Sequence, residues 1–189
     1  MTVDAALTPK RADAVRNRAR VVAAAAAVFG ERGIEASVPE VAARAGVGKA
    51  TVYRSFPTKE HLIAAVVFDK MDDFERRARE LLEEPDAWAA LHELMGEKAV
   101  EHCGDRTLAS ALQAGVASDL LAEARRRMWG AVAELMERAK AQGRLRESAT
   151  SGDLRVLWGG AARMLAADEV DDPAEWRRYA ALALDALRA

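Results

Sequence analysis

Lys49, Thr51, Tyr53, Arg54 and Lys59 fall within eleven residues, with Ser37 a short distance upstream. Lys49 and Arg54 carry groups that donate to guanine O6 and N7, and Thr51 suits a base edge or a thymine methyl. Ala50 sits between them and belongs to the same set. Tyr53 and Lys59 suit phosphate oxygens, Lys59 with help from the positive end of a helix that starts beside it. Ser37, through its hydroxyl or its amide, suits a phosphate at another helix start. Two alternatives stay open: Tyr53 also fits packing against Phe56, and Arg16, Arg18 and Arg20 fit either phosphate contact or a solvated helix start. Phe56 is assigned to the core.

The elements that would position these side chains are short and sharply punctuated. Ser37 and Glu40 have capping-box spacing, so a helix starts near Val38, with Pro39 in its first turn, where no amide partner is lost. Ala42, Ala43 and Ala45 keep it thin. Gly46-Val47-Gly48 supplies the freedom for a turn, with Val47 placed to plug the corner. Lys49 to Phe56 form a second short helix, and Thr58 caps a third. This is a helix-turn-helix, in which side chains near the start of the second helix reach base edges in the major groove.

Two stretches, Phe29-Gly-Glu-Arg-Gly33 and Ala42 to Leu62, resemble the N-terminal domain of the tetracycline-repressor (TetR) family of bacterial transcription regulators. The resemblance covers roughly residues 15–65, and Tyr53-x-x-Phe56-x-x-Lys59-Glu60 is its most specific part. Gly48 stands where the family often has a capping Ser, a change worth a few tenths of a kcal/mol. Ala50 stands where Gly is common. The resemblance implies Tyr53 and Lys59 as contacts to the DNA backbone. It also implies a homodimer through residues 152–188, joined as a four-helix bundle, and a small-molecule effector held by the C-terminal domain.

Composition agrees with a charged reader on a different body. Residues 1–60 hold ten Lys/Arg against six Asp/Glu, a net +4, which leaves −6 on the remainder. A basic end on an acidic body suits a module that faces phosphates. No apolar run approaches the roughly 20 residues that span a bilayer, and the N-terminus lacks a signal-peptide pattern. The single Cys103 excludes an internal disulfide and suits a reducing, cytoplasmic setting. No Gly-rich phosphate loop, Gly-x-Ser-x-Gly elbow or His-Glu-x-x-His is present, which argues against an enzyme and leaves no catalytic residue and no cofactor to assign. The modest basic excess and a pI near 6.0 argue against a sequence-indifferent architectural protein.

The rest of the chain reads as all-α, about nine helices in all. Residues 1–10 are expected to form a polar, disordered tail, 11–60 the helix-turn-helix domain (motif about 38–57) and 61–189 a helical effector-binding and dimerisation domain. Val15 to Phe29 keep one apolar face up to Gly33. A long helix leaves the DNA-binding domain from Thr58, and others are expected up to Gly104, over 107–116, from Leu121 to Gly143, over 152–167 and over 173–188. Trp88, Met95, His102, Met128 and Trp158 are the expected lining of a ligand pocket, since such sites are mostly apolar with few polar groups. Each of them also fits plain core. His102-Cys103 does not make a metal site, because neighbouring side chains on a helix diverge by about 100° and zinc needs about four ligands. Arg125-Arg126-Arg127 reads as a solvated face.

Overall fold

The computed structural model describes residues 8–105, 107 and 119–189, and every regular element among them is an α-helix. The first three are α1 (Thr8–Arg32), α2 (Val38–Ala45) and α3 (Lys49–Ser55). Then come α4 (Lys59–Leu81) and α5 (Ala87–His102). The last three are α6 (Asp119–Ala141), α7 (Ser151–Ala167) and α8 (Pro173–Asp185). The polar tail falls outside the described residues up to residue 7, and Thr8–Lys10 already belong to α1. The helix expected over 107–116 lies outside the described residues beyond Thr107. No described helix is long and apolar enough to cross a membrane.

Local chemistry sets the helix starts. Asp86 accepts hydrogen bonds from the N–H groups of Trp88 and Ala89, both at 3.0 Å, and so caps α5. Thr150 and Asp153 form a reciprocal box at α7, with Thr150 N–H to Asp153 Oδ2 at 2.9 Å and Asp153 N–H to Thr150 Oγ1 at 3.1 Å. Asp172 caps α8 through the Ala174 N–H, with Pro173 at the first helical position. Each cap satisfies amides that the first turn leaves without intrahelical partners.

The helices bury two separate apolar cores. The first joins α1 to α3 with the start of α4: Val21, Val28, Phe29, Val41, Val52, Phe56, Leu62, Ile63, Val66 and Val67 are all buried there. It therefore continues past residue 60 into α4. The second runs from Phe74 and Leu81 on α4 through Leu91, Met95, Leu135, Leu154 and Trp158 to Leu187. Two helices contribute to both: α4, and α6, whose Leu121 enters the first core and whose Ala131, Val132 and Leu135 enter the second. Within the body α4 packs on α6, α5 on α8 and α6, and α7 on α8.

Arg127 is not part of a solvated face. It reaches from α6 to α4, where Nε donates to Glu75 Oε2 at 2.9 Å and a terminal nitrogen to Asp72 at 3.2 Å. Arg126 is exposed and pairs with Glu123 one turn back.

Candidate nucleic-acid interface

The turn between α2 and α3 is built from backbone chemistry. Ser37 donates to Glu40 Oε2 through its N–H and its hydroxyl, each at 2.7 Å. Those bonds, the backbone one first, hold the Glu40 carboxyl below the usual carboxylate range. Gly46 adopts φ 64°, the left-handed conformation that costs a side-chain-bearing residue about 1–2 kcal/mol. Its N–H bonds to Ala43 O at 3.2 Å, and the next N–H, of Val47, reaches back to Ala42 O at 3.0 Å. This paired closure is the Schellman arrangement. It turns Val47 onto the first core and starts α3 two residues later.

Helix α3 divides cleanly between anchor and reader. Val52 and Phe56, four residues apart, are buried in the first core. Lys49, Ala50, Tyr53 and Arg54 point to solvent, and Thr51 is half-buried. Tyr53 is 38% exposed and does not stack on Phe56; the Lys49 ammonium lies 5.7 Å from its ring centroid instead. Phe56 is covered by Arg18, whose guanidinium sits 4.6 Å from the ring. Lys59 opens α4 beside Thr58, whose hydroxyl oxygen accepts from the His61 N–H at 3.4 Å.

Ion pairing separates structural cations from free ones. Arg44 pairs with Glu31 at 2.8 Å, and Arg32 pairs with Glu40, so both fasten α1 to α2. Arg16 pairs with Asp13, and Arg20 donates to Asn17 at 2.9 Å. Among the described residues Lys49, Arg54 and Lys59 meet no carboxylate. Exposed pairs of this kind are worth about 0–1 kcal/mol. Their effect is to orient α1 against α2 and to neutralise charge there, leaving free cations on α3 and at the start of α4. Ser37, at the start of α2, is exposed, with its hydroxyl already turned to Glu40.

The body holds the five expected pocket residues in two places. Trp88 lies half-buried at the start of α5, edge-on to His92 at 4.7 Å, with the Arg188 guanidinium 6.0 Å from its ring. His102 lies fourteen residues further along α5, about 21 Å away at 1.5 Å per residue. There it stacks on Trp158, with centroids 5.9 Å apart and planes 8° apart, and Trp176 meets it edge-on at 6.3 Å. Met95 is buried in the second core, and Met128 packs against it half-buried. The His102 imidazole is pushed down to about 3, first by burial and then by Lys98. Its Nε2 is buried and meets no hydrogen-bond partner among the described residues. Two open grooves, of about 550 and 470 Å³, lie elsewhere, along His92, Gly96, Val100 and Arg177 and along Asp72, Arg76, Arg79 and Arg127. None of the five expected residues lines either groove. Trp176 was not among the expected lining; its indole N–H donates to Val170 O at 2.8 Å, a contact set by the loop before α8 that spacing along the chain does not reveal.

A short helix anchored by two apolar residues, presented by a glycine turn and edged by free cations, is the reading head of a helix-turn-helix regulator. The profile of bacterial regulatory proteins of the tetR family matches residues 21–66, and that of the "Transcriptional regulator SbtR-like, C-terminal domain" matches residues 86–189. The chain belongs to the TetR family of transcriptional regulators and is not an enzyme. It is 32% identical to a TetR transcriptional regulator of Streptomyces coelicolor, over 90% of this chain and 98% of that one, with a TM-score of 0.70. A TetR regulatory protein of Mycobacterium vanbaalenii is also 32% identical, over 96% and 100% of the two chains, with a TM-score of 0.68. SmeT, the repressor of the Stenotrophomonas maltophilia multidrug efflux pump SmeDEF, shares the fold at 24% identity, over 91% and 90%, with a TM-score of 0.67. No curated protein matches the chain.

Proposed function

We propose that two copies of this chain form a cytoplasmic homodimer that reads a near-palindromic operator in double-stranded DNA and represses transcription until a small, largely apolar ligand releases it. The carrying observation is the set of cations on α3 and at the start of α4 that meet no carboxylate. In this reading Lys49, Ala50, Thr51 and Arg54 face base edges, and Ser37, Tyr53 and Lys59 face phosphates. Two recognition helices related by a twofold would sit about 34–36 Å apart, one DNA turn.

The dimer contact is assigned to residues 152–188, where Val156, Leu157, Met164 and Leu182 are exposed on α7 and α8. Gly159 and Gly160 lie on the same stretch with open space where a Cβ would be, so a second backbone can approach. Repression is the role of SmeT, and it is carried to this chain as a proposal. The effector part rests on His102, whose buried Nε2 meets no partner among the described residues: such a nitrogen left unpaired costs about 1–3 kcal/mol, and a ligand that hydrogen-bonds to it offsets that cost.

Selection of bound duplexes from a randomised library tests the central claim. The expected product is an inverted repeat with half-sites one DNA turn apart, bound about 10³-fold or more tightly than random DNA at physiological salt. Equal affinity for selected and random duplexes would remove sequence reading from the proposal.

A further inference from the structure

The two apolar cores share α4 and α6, the latter placing Leu121 in the first core and Ala131, Val132 and Leu135 in the second. Between the stretch of α4 that enters the first core (Leu62–Val67) and the stretch that enters the second (Phe74–Leu81) lies Lys70. Its side chain is only 21% exposed, and its ammonium pairs with Asp105, which is 14% exposed. Glu101 stands off at 3.9 Å. Asp105 follows Gly104, which holds φ 76°, in the turn that leaves α5. Its other oxygen accepts the Thr107 N–H at 2.8 Å. The same oxygen faces Gly30 of α1, where a Cβ would lie 3.8 Å away. One carboxylate thus joins α4 to the turn that leaves α5 and faces Gly30 of α1. Three residues earlier, the imidazole of His102 stacks on Trp158 and meets Trp176.

We propose that the Lys70–Asp105 pair is the switch contact that makes the DNA-reading module and the aromatic corner of the body report on one another. The proposal rests on the DNA-binding reading given above. Stability alone does not explain the pair: two charges withdrawn from water recover little, and an apolar pair of similar volume would do as well. A half-buried ion pair does offer two discrete states, made and broken, and a bistable contact is what carries coupling between sites. Burial works against the Asp105 charge, but the hydrogen bonds from Lys70 and Thr107 outweigh it and hold the carboxyl below its usual range. A shift of α4 on DNA acts on the pair through Lys70, and Asp105 is tied through the Gly104 turn to His102. By linkage, a change at the aromatic corner must act on DNA affinity by the same factor as DNA acts on the corner.

All four tryptophans lie beyond residue 87, so a tryptophan signal from the full-length chain arises only in the body. The experiment titrates the chain with a fluorescein-labelled duplex selected by the wild type, reading anisotropy for binding and tryptophan emission for coupling. Wild type is expected to change emission in step with anisotropy. Lys70→Met and Asp105→Asn are each expected to bind the duplex yet lose the emission change, and the double variant to lose no more. Exchanging the charges, Lys70→Asp with Asp105→Lys, should restore part of it, which a purely structural role would not. Glu93→Gln, which breaks another ion pair between α4 and α5, should behave as wild type. Should Asp105→Asn disturb the turn, Lys70→Met still decides, because it leaves the Thr107 bond in place. Full emission change in Lys70→Met, or wild-type binding with no emission change, overturns the coupling while leaving DNA binding intact. Absence of any anisotropy change for wild type overturns the DNA reading beneath it.

Discussion

The exposed side chains of α7 and α8 set the size of the proposed dimer contact. Val156, Leu157, Met164 and Leu182 are 67%, 40%, 60% and 48% exposed. Together they amount to about two fully exposed apolar side chains per protomer. Burial contributes about 1.5–3 kcal/mol for each, and a twofold contact repeats every residue. The pair of faces is therefore worth about 6–12 kcal/mol, set against an association cost of about 4–15 kcal/mol. A dimer on that margin is sensitive to single changes.

Placing Asp at Leu182 or Met164 removes about 1 kcal/mol of apolar burial per site and adds a desolvated carboxylate costing at least about as much. Twofold repetition brings the loss to at least about 4 kcal/mol, a thousandfold weaker Kd. Sedimentation equilibrium at micromolar concentration should show dimers for wild type and folded monomers for Met164→Asp and for Leu182→Asp. Gly160→Leu should act likewise by steric bulk, since nothing in the protomer lies within 4 Å of the added Cβ. Leu184→Asp is no test of the interface, because Leu184 is fully buried within the protomer and its loss attacks folding. Dimers of wild-type affinity in both Asp variants would refute the assignment to this face.

Lys59→Ala should weaken binding to selected and random duplexes alike and reduce the salt slope by about one unit, whereas Lys49→Ala should cost about 1–3 kcal/mol mainly on the selected duplex; anisotropy titrations across salt concentrations separate the two, and an unchanged slope for Lys59→Ala would remove it from the phosphate contacts. Asp86→Ala deletes both cap bonds of α5 and should cost about 1 kcal/mol, seen in calorimetry as a melting point about 2–4 °C lower. His102 is held neutral with a folded value of about 3 against an ordinary 6.5, so the native state binds fewer protons than the unfolded chain between them. Its stabilising share is complete above pH 6.5 and falls with acidification, at up to about 1.4 kcal/mol per pH unit. Urea midpoints between pH 6.5 and about 5 should therefore drop more steeply for wild type than for His102→Phe, and equal slopes would place the acid sensitivity elsewhere.

The helix-turn-helix was legible because its signals are local. Ser37 with Glu40, the glycine at 46 and the Thr58 cap each act within about four residues, and each appears in the fold at its expected place. The body was legible only as helices. On α7, Leu154, Trp158 and Leu165 enter the protomer core, while Leu157 and Met164, about a quarter-turn round the helix, stay outside. The two sets consist of the same residue types, so only packing against α8 separates them. The same holds for Leu184, buried, and Leu182, exposed. Helix length, not residue type, puts Trp88 and His102 at opposite ends of α5. The pairing of Lys70 with Asp105 joins positions thirty-five apart and leaves no periodic trace.

That pairing sits halfway along a lever. Helix α4 has 23 residues, so it spans about 34 Å at 1.5 Å per residue. Lys59 stands at one end, Leu81 at the other and Lys70 midway. With the far end fixed in the body core, a displacement of about 1 Å at Lys70 becomes about 2 Å at Lys59, and twofold symmetry can turn that into about 4 Å between the two reading heads of a dimer. Against the roughly 34–36 Å spacing of successive major-groove faces, such a change exceeds what hydrogen bonds to bases tolerate, since these fail beyond about 3.5 Å. In the proposed dimer, a few degrees of tilt at one half-buried ion pair would therefore be enough to change operator affinity, without any rearrangement of the helix-turn-helix itself.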